Sequence, residues 1–458
     1  MEEFTDIINP FDYSVIERCE NYSKGKVNDL IKISLKAYEK YSKVSPSDRA
    51  LMLRRFADLV DKHRLELAQL ETLNVGKPIS DSLEEISSVA EVFYYYSGAV
   101  DKHFGTTVPV SSGLDLTIYE PFGVVAAIVP WNFPALIASW KLAPALACGN
   151  TVILKPAEWT PLTALKLQDL ALQAGFEKGV FQVATGVGNV TGAALAENEY
   201  VSKISFTGST AVGKSIMKSA TDNLKRVSLE LGGKSASIVF PDADLMKATS
   251  AQPMSVFANC GQDCCARSRM LIEESVYDQV KELLINSTKS IVLGDPADKE
   301  TQVGPLVSSV HKSRVSSFID NLDKEVEIIY ESEVPAGKGA YFPIILLETQ
   351  SEDVAVVQEE IFGPVLTLLK FKDELDAIRL ANATVYGLSG SIWTKDISKA
   401  LRVAQGLKSG TLSVNSNSSV RTSTPFGGYK QSGIGSELGM EAMQTFSQKK
   451  NIFISTVD

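Results

Sequence analysis

The sequence predicts an α/β protein assembled from more than one folding unit, and three observations carry that expectation. After residue 120 short apolar runs alternate with helical segments, which is the pattern of βαβ units wound into a parallel sheet. The 458 residues exceed the roughly 100 to 200 of one ordinary domain, leaving room for a cleft between units. The composition, 44% hydrophobic and 22% charged with no low-complexity run or Gly/Ser-rich linker, is that of an ordered globular chain.

The elements follow in order. The opening MEEFTDIINPF is acidic and lacks the basic and apolar regions of a secretory signal, so a cytoplasmic location is expected. From 28 to about 104 the pattern is helical: Ser45 reads as an N-cap, Pro46 occupies the first turn, Asp48 is an early acid, and Leu53, Phe56, Val60, Leu67 and Leu70 recur at helical spacing. Gly76-Lys77-Pro78 stops that helix. Strands are expected at 124–129, 151–154, 204–206 and 236–240, with a helix at 162–174 among them. A second alternating stretch starts near Tyr277, with strand candidates at 291–293, 365–371 and 410–414.

Composition also excludes several classes of function. The net charge is -10 and the lysines are scattered among acids, so no nucleic-acid partner is expected. The longest apolar stretches, such as 123–130 and 344–347, fall far short of the ~20 residues needed to span a bilayer, so no membrane span is expected. Five cysteines, Cys19, Cys148, Cys260, Cys264 and Cys265, are an odd and sparse set that fits a reducing compartment better than a disulfide framework. His63, His103 and His311 are too widely separated to read as a metal site, and none is expected.

Four segments carry chemistry. In FANCGQDCCARSR, at 257–269, Gly261 and small polar neighbours mark a turn into the apolar run from Met270, where exposed backbone N–H groups could stabilise a thiolate and a developing oxyanion. Cys260 and Cys265 keep the ordinary role of small buried hydrophobes. In VSLELGGKS, at 227–235, Glu230 ends a strand-like run beside Gly232 and Gly233, a setting that desolvates a carboxylate toward general-base use while the glycines let backbone approach a ligand. In ISFTGSTAVGK, at 204–214, a strand passes through Gly208 and Ser209 into a helix start suited to phosphate. In VPWNFP, at 129–134, Asn132 sits among aromatics at the end of an apolar strand.

In this order and spacing, the four segments resemble the aldehyde dehydrogenase superfamily over nearly the whole chain. Position by position, the resemblance makes Cys264 the catalytic thiol, Glu230 the general base, and Asn132 with the backbone N–H of Cys264 the oxyanion site. Glu360 and Phe362 match contacts to the nicotinamide ribose and ring, Lys155 and Glu158 contacts to the adenosine ribose, and Trp131 and Ser209, with Gly208 beside it, contacts to the pyrophosphate. Lys141 and Glu437 resemble a proton relay behind the thiol, and Phe133, Trp140 and Phe426 line the substrate tunnel.

The implied fold is a Rossmann-like cofactor domain (1–102 and 122–232), an α/β catalytic domain (233–432) and a β-arm for oligomerisation (103–121 and 433–458). The implied activity is oxidation of an aldehyde to its acid through a thioester on Cys264, with NAD as cofactor and NADP as a second choice, in a homodimer or homotetramer. Glu158 favours NAD, because a carboxylate accepts hydrogen bonds from ribose hydroxyls and repels a 2′-phosphate. The aromatic wall of Phe133, Trp140 and Phe426 implied by the resemblance could hold a quaternary ammonium through cation–π contacts or equally bury a plain apolar tail. Because the runs 94–105 and 261–266 resemble bacterial members acting on betaine aldehyde or γ-glutamylaminobutyraldehyde, an aminoaldehyde or betaine aldehyde is the expected substrate, with a simple apolar aldehyde as the alternative.

Two alternatives stay beside this reading: a CoA-acylating semialdehyde dehydrogenase, against which Glu230 argues, and a non-catalytic relative. The chain departs from the family pattern in two places. It starts close to Ile8-Asn9-Pro10, so the extra N-terminal strands of longer relatives are expected to be missing, and Gln448 stands where many relatives carry glutamate. The polar loop 414–426 is expected to line the substrate entrance without naming a ligand, Arg421 being read as an exposed arginine with no ligand role.

Overall fold

The computed structural model describes residues 3–418 and 420–457; the first two residues of the acidic N-terminal stretch, Ser419 of the loop 414–426 and the last residue fall outside them. Two largely parallel sheets organise the chain, because its apolar runs are buried on both faces and need helices on either side. The six-stranded sheet runs Gly433–Ile434, Arg226–Glu230, Val201–Thr207, Val124–Ile128, Thr151–Lys155, Phe181–Val183. All its pairs are parallel except that of Gly433–Ile434 with Arg226–Glu230. The chain enters at Val124–Ile128, winds outward through Thr151–Lys155 and Phe181–Val183, then crosses back to Val201–Thr207 on the other side. That reversal opens a crevice beyond the carboxyl ends of Val124–Ile128 and Val201–Thr207, the place where doubly wound sheets hold ligands.

The seven-stranded sheet runs Glu327–Glu331, Ile345–Glu348, Val365–Phe371, Arg269–Glu273, Ala236–Val239, Ser389–Trp393, Thr411–Val414, with only the Glu327–Glu331 edge antiparallel. Each large sheet has its own buried apolar cluster. A separate antiparallel sheet joins Ser447–Ser455, Gly113–Pro121 and Thr107–Val108. In it Gln448 lies opposite Glu120.

The N-terminal helical expectation resolves into Lys24–Tyr41, Pro46–Lys62, Arg64–Val75 and Ile79–Ala99. Ser45 caps the second by accepting the Asp48 N–H, and Gly76 ends the third in a left-handed conformation. Among the described residues no helix is long and apolar enough to cross a membrane.

Three expectations are corrected. Residues ahead of the first helix form a hairpin, Phe4–Ile8 with Val15–Glu20, where strands were expected to be missing. The run 291–293 is half exposed beside a turn and makes only one isolated bridge, Leu293 with Val303, because it has no sheet neighbour to extend it. The arm was expected from 433, but Gly433–Ile434 pairs into the six-stranded sheet, and Leu438, Ala442, Met443 and Phe446 are buried in that domain's core. Burial of those apolar side chains outweighs continuity with the arm strand, which begins at Ser447.

Candidate active site

The loop after Val124–Ile128 delivers Trp131 and Asn132 to the crevice and passes straight into the helix Pro134–Ala147. The loop after Val201–Thr207 delivers Gly208 and Ser209, whose side chain caps the helix Thr210–Ala220 by accepting the Val212 N–H at 3.4 Å. Between these loops a cavity of about 310 Å³ is lined by Trp131, Gly208, Ser209, Cys264, Glu360 and Phe362, all named from sequence, and also by Trp159, His311 and Arg314, which were not. The unpaired N–H groups of the helix start and the buried, unpartnered Thr207 hydroxyl give this wall donors for an anionic group.

His311 explains how Phe362 is held. Phe362 has φ of 62°, an uncommon value for a bulky residue, and its carbonyl lies 2.7 Å from His311 Nε2. Burial pushes the His311 pKa down to about 4, so the neutral ring donates to that carbonyl. Trp131 stacks edge-on against both Phe362, at 5.2 Å, and His311, at 4.9 Å.

The paired glycines pack against the site's own residues, and Gly232 also lines the cavity. A Cβ on Gly232 would stand 2.3 Å from a Glu360 carboxylate oxygen, and one on Gly233 would stand 2.3 Å from the Cys264 carbonyl. The Gly233 N–H donates to Glu360 at 2.8 Å, and burial pushes the Glu360 pKa up to about 7.

Cys264 is half-buried, whereas the four other cysteines are buried. Its loop turns through left-handed Asn259 and Cys260 and is pinned by Gln262, which accepts the Val307 N–H at 2.8 Å and donates to the Asn259 carbonyl at 2.9 Å. Asn132 is tied to the same loop. Its amide nitrogen donates to the Gln262 carbonyl at 2.9 Å, its own carbonyl accepts from Asn259 at 2.9 Å, and its side-chain oxygen is buried without a partner. One Asn132 N–H thus fixes the side chain while the second remains for another acceptor. A hydrogen bond with Cys265, then burial, then the nearby Asp263 and Glu360 carboxylates, hold the Cys264 thiol well above its ordinary pKa.

A second cavity, of about 330 Å³, lies on the other side of the nucleophile, lined among others by Asp263, Cys265, Arg267 and Asn417. Donor atoms of Asp263, Cys264 and Cys265 lie within 4.8 Å of one another, so Cys264, which lines the first cavity, stands between two residues that line the second. This grouping of metal-capable donors escaped a sequence reading that looked for histidine spacing. Asp263 and Arg267 flank the thiol in sequence, and that adjacency was the available signal.

Glu230 lines neither cavity. Its carboxyl lies toward Gly427 and Gly433, is fully buried, and leaves Oε2 without a partner. Burial, followed by the charge of Glu437, raises its pKa well above the ordinary value against the opposing pull of Lys141. Lys141 and Glu437 form a buried ion pair bridged by Ser205, which accepts from Lys141 at 3.2 Å and donates to Glu437 at 3.1 Å. Lys155 and Glu158 pair at 3.3 Å just before Trp159, outside the cavity lining. Trp140 and Phe426 pack on each other at 5.2 Å in one apolar cluster with Cys265, and Phe133 and Cys264 border it. The face of Phe133 is already taken by Lys77, whose Nζ stands 4.1 Å from the ring centre. Arg421 is exposed on its loop.

The profile of the aldehyde dehydrogenase family matches residues 1–452. A Bacillus subtilis protein named betaine aldehyde dehydrogenase is 39% identical over 467 residues, covering 99% of this chain and 95% of the relative. The NADP/NAD-dependent aldehyde dehydrogenase PuuC of Escherichia coli is 43% identical over 419 residues, covering 91% and 84%. The crystal structure of betaine aldehyde dehydrogenase from Staphylococcus aureus in complex with NAD+ superposes with a TM-score of 0.97 at 37% identity, covering 99% of this chain and 92% of that one.

Proposed function

The chain belongs to the aldehyde dehydrogenase family, and from that premise we propose that it oxidises a cationic-tailed aldehyde, an aminoaldehyde or betaine aldehyde, to its carboxylic acid through a thioester on Cys264. The observation that carries the reading is the partly buried Cys264 in the lining of the first cavity, with the Asn132 amide fastened to the same loop.

The residues present fit a dinucleotide. The cavity stands at the topological switch of the six-stranded sheet; there the start of Thr210–Ala220, the Thr207 hydroxyl, Ser209 and Trp131 would hold the phosphate groups, Glu360 the nicotinamide ribose, and Phe362, held by His311, the nicotinamide ring. Glu158, beside Lys155, turns the choice toward NAD over NADP. When bound, NAD supplies the hydride acceptor for the oxidation.

The chain's own groups do the rest. The Cys264 thiol must lose its proton before its sulfur adds to the aldehyde carbon, and the Cys264 N–H with the second Asn132 N–H stabilises the oxygen that gains charge. Glu230, with its pKa raised by burial, accepts a proton from the water that cleaves the thioester, which requires its carboxyl to turn from Gly427 and Gly433 toward the sulfur. Lys141, Ser205 and Glu437 then carry that proton away from Glu230. The antiparallel sheet around Ser447–Ser455, which exposes Val108, Leu114, Phe453 and Ile454, is the surface for assembly into a homodimer or homotetramer.

Initial rates of NADH formation with aliphatic, aromatic, semialdehyde and aminoaldehyde substrates, with the acid product identified, test the reading. Absence of turnover with every aldehyde, or release of an acyl-CoA in place of the acid, overturns it.

A further inference from the structure

We propose that the carboxylate of Asp263 selects the tail of the substrate, taking a primary ammonium in direct hydrogen-bond contact and so favouring short ω-aminoaldehydes over quaternary-ammonium and uncharged ones. The inference rests on the proposed oxidation at Cys264 and goes beyond it by naming the tail and the residue that reads it.

The cavity opposite the cofactor side is lined by Asp263, Cys265, Arg267, Asn417, Ser418 and Val420 among others. A carboxylate oxygen of Asp263 lies within 4.8 Å of the Cys264 sulfur, so an aldehyde bonded to that sulfur and extending into this cavity passes the carboxylate within a few carbons. Asp263 is only half-buried, and one of its oxygens is held by the Cys265 N–H at 2.8 Å, which fixes the direction of the group. Arg267, the other charged residue in the lining, is buried and directed at protein acceptors: the Ser391 hydroxyl at 2.9 Å, the Asn417 carbonyl at 3.1 Å and the Cys265 carbonyl. Burial raises the Asp263 pKa, and the Cys265 N–H and the charge of Arg267 act against it in favour of the ionised carboxyl that lines the cavity.

The aromatic route to cation recognition is largely closed. Lys77 covers Phe133, and Trp140 and Phe426 are packed on one another at 7% and 2% exposure. A tetraalkylammonium carries no N–H donor and relies on such ring faces, whereas a primary ammonium brings three donors to a carboxylate. Placement of the acid has an electrostatic consequence as well. Asp263 is among the charges that keep the Cys264 thiol protonated, and a cationic tail bound there offsets that charge and favours the thiolate. The right substrate thereby promotes its own attack, with the thiol proton passing to solvent or to a neighbouring base.

The test compares 3-aminopropanal, its N,N,N-trimethyl analogue and butanal in the wild type and Asp263→Asn, which keeps an oxygen for the Cys265 N–H. The wild type is expected to prefer 3-aminopropanal, and Asp263→Asn to lose ~10- to 100-fold in the ratio of kcat/KM for 3-aminopropanal over butanal, with the rise of kcat with pH moved down alike for all three aldehydes because the neighbouring charge is gone, while the KM for NAD changes little. In the wild type the rise of kcat with pH is expected at lower pH with 3-aminopropanal than with butanal, an offset absent in Asp263→Asn. Equal losses for all three aldehydes, a wild type without preference for the primary amine, or coincident pH profiles overturn the inference while leaving aldehyde oxidation intact. Failure of the wild type to oxidise any aldehyde removes both. Should Asp263→Asn not fold, competitive inhibition of the wild type decides: propylammonium is expected to inhibit more strongly than tetramethylammonium, and the reverse order overturns the assignment.

Discussion

On the cofactor side of Cys264 the wall is made by the ends of two neighbouring parallel strands, with Trp131 following one and Gly208 and Ser209 the other, closed by Glu360 and Phe362. The second cavity gathers Ala251, Met254 and Ser255 from two short helices, Asp263, Cys265 and Arg267 from the loop of the nucleophile, and Asn417, Ser418 and Val420 from the loop after Thr411–Val414. The first cavity is set by sheet topology, since any chain wound in this strand order opens a crevice there. The second depends on which side chains the loops carry, so it can vary while the chemistry between the two is kept. Fixed chemistry on one side and adjustable recognition on the other is the division these two surfaces teach.

The sharpest way to break that comparison is to remove the thiol that lines the first cavity between two residues of the second. Cys264→Ala is expected to lower oxidation on the order of 10⁶-fold, the scale seen when a covalent nucleophile is deleted, while NAD binding by fluorescence titration stays near wild type. Loss of activity in Cys265→Ala instead would move the nucleophile across to the other cavity.

Glu230→Gln comes next. With no group to take water's proton, the variant is expected to give one burst of NADH and then a steady state slower by about 10²- to 10⁴-fold. An unchanged steady-state rate would leave the buried cluster around Lys141 and Glu437 without this role.

The cofactor side should carry its own pH dependence. Because burial raises the Glu360 pKa to about 7, its carboxylate gains a proton as pH falls through that value and ceases to accept from both ribose hydroxyls. NAD affinity is therefore expected to be full above neutrality and to weaken several-fold by about one unit below it, with Glu360→Gln flattening the dependence. Calorimetric titration of NAD across that range checks the direction.

The smallest effect expected is a difference near zero. Trp140→Ala should lower kcat/KM alike for a trimethylammonium aldehyde and its neutral isostere, because Trp140 is packed against Phe426 and acts by shape. A selective loss for the cation, worth about 0.5 to 2 kcal/mol, would restore cation–π recognition and weaken the case for Asp263.

How much of this was legible beforehand differs between the same two regions. Apolar runs with short turns announce buried parallel strands locally, so most strand positions and the residues at their carboxyl ends could be named from a window of a dozen residues. The run 291–293 failed because local pattern cannot tell whether a partner strand exists, and Gly433–Ile434 was misplaced because two residues carry no pattern at all. His311 and Arg314 were missed because they close the cavity from the helix Ser309–Asp320, a segment without a motif of its own, and Trp159 because it lies one residue beyond the matched run that ends at Glu158.

By itself, then, the sequence determined the alternation that makes two parallel sheets, the loop that exposes Cys264 while its sister cysteines stay buried, and the strand ends that bear Asn132 and Ser209. Those are short-range consequences of apolar period, turn residues and helix starts. Only the tertiary structure decided that Gly232 and Gly233 make room for Glu360 and the Cys264 carbonyl, that Lys77 occupies the face of Phe133, and that Asp263 and Asn417 face one cavity. These contacts join residues tens to hundreds of positions apart. Distance and burial between such residues depend on how the two sheets are packed, and no local periodicity encodes that.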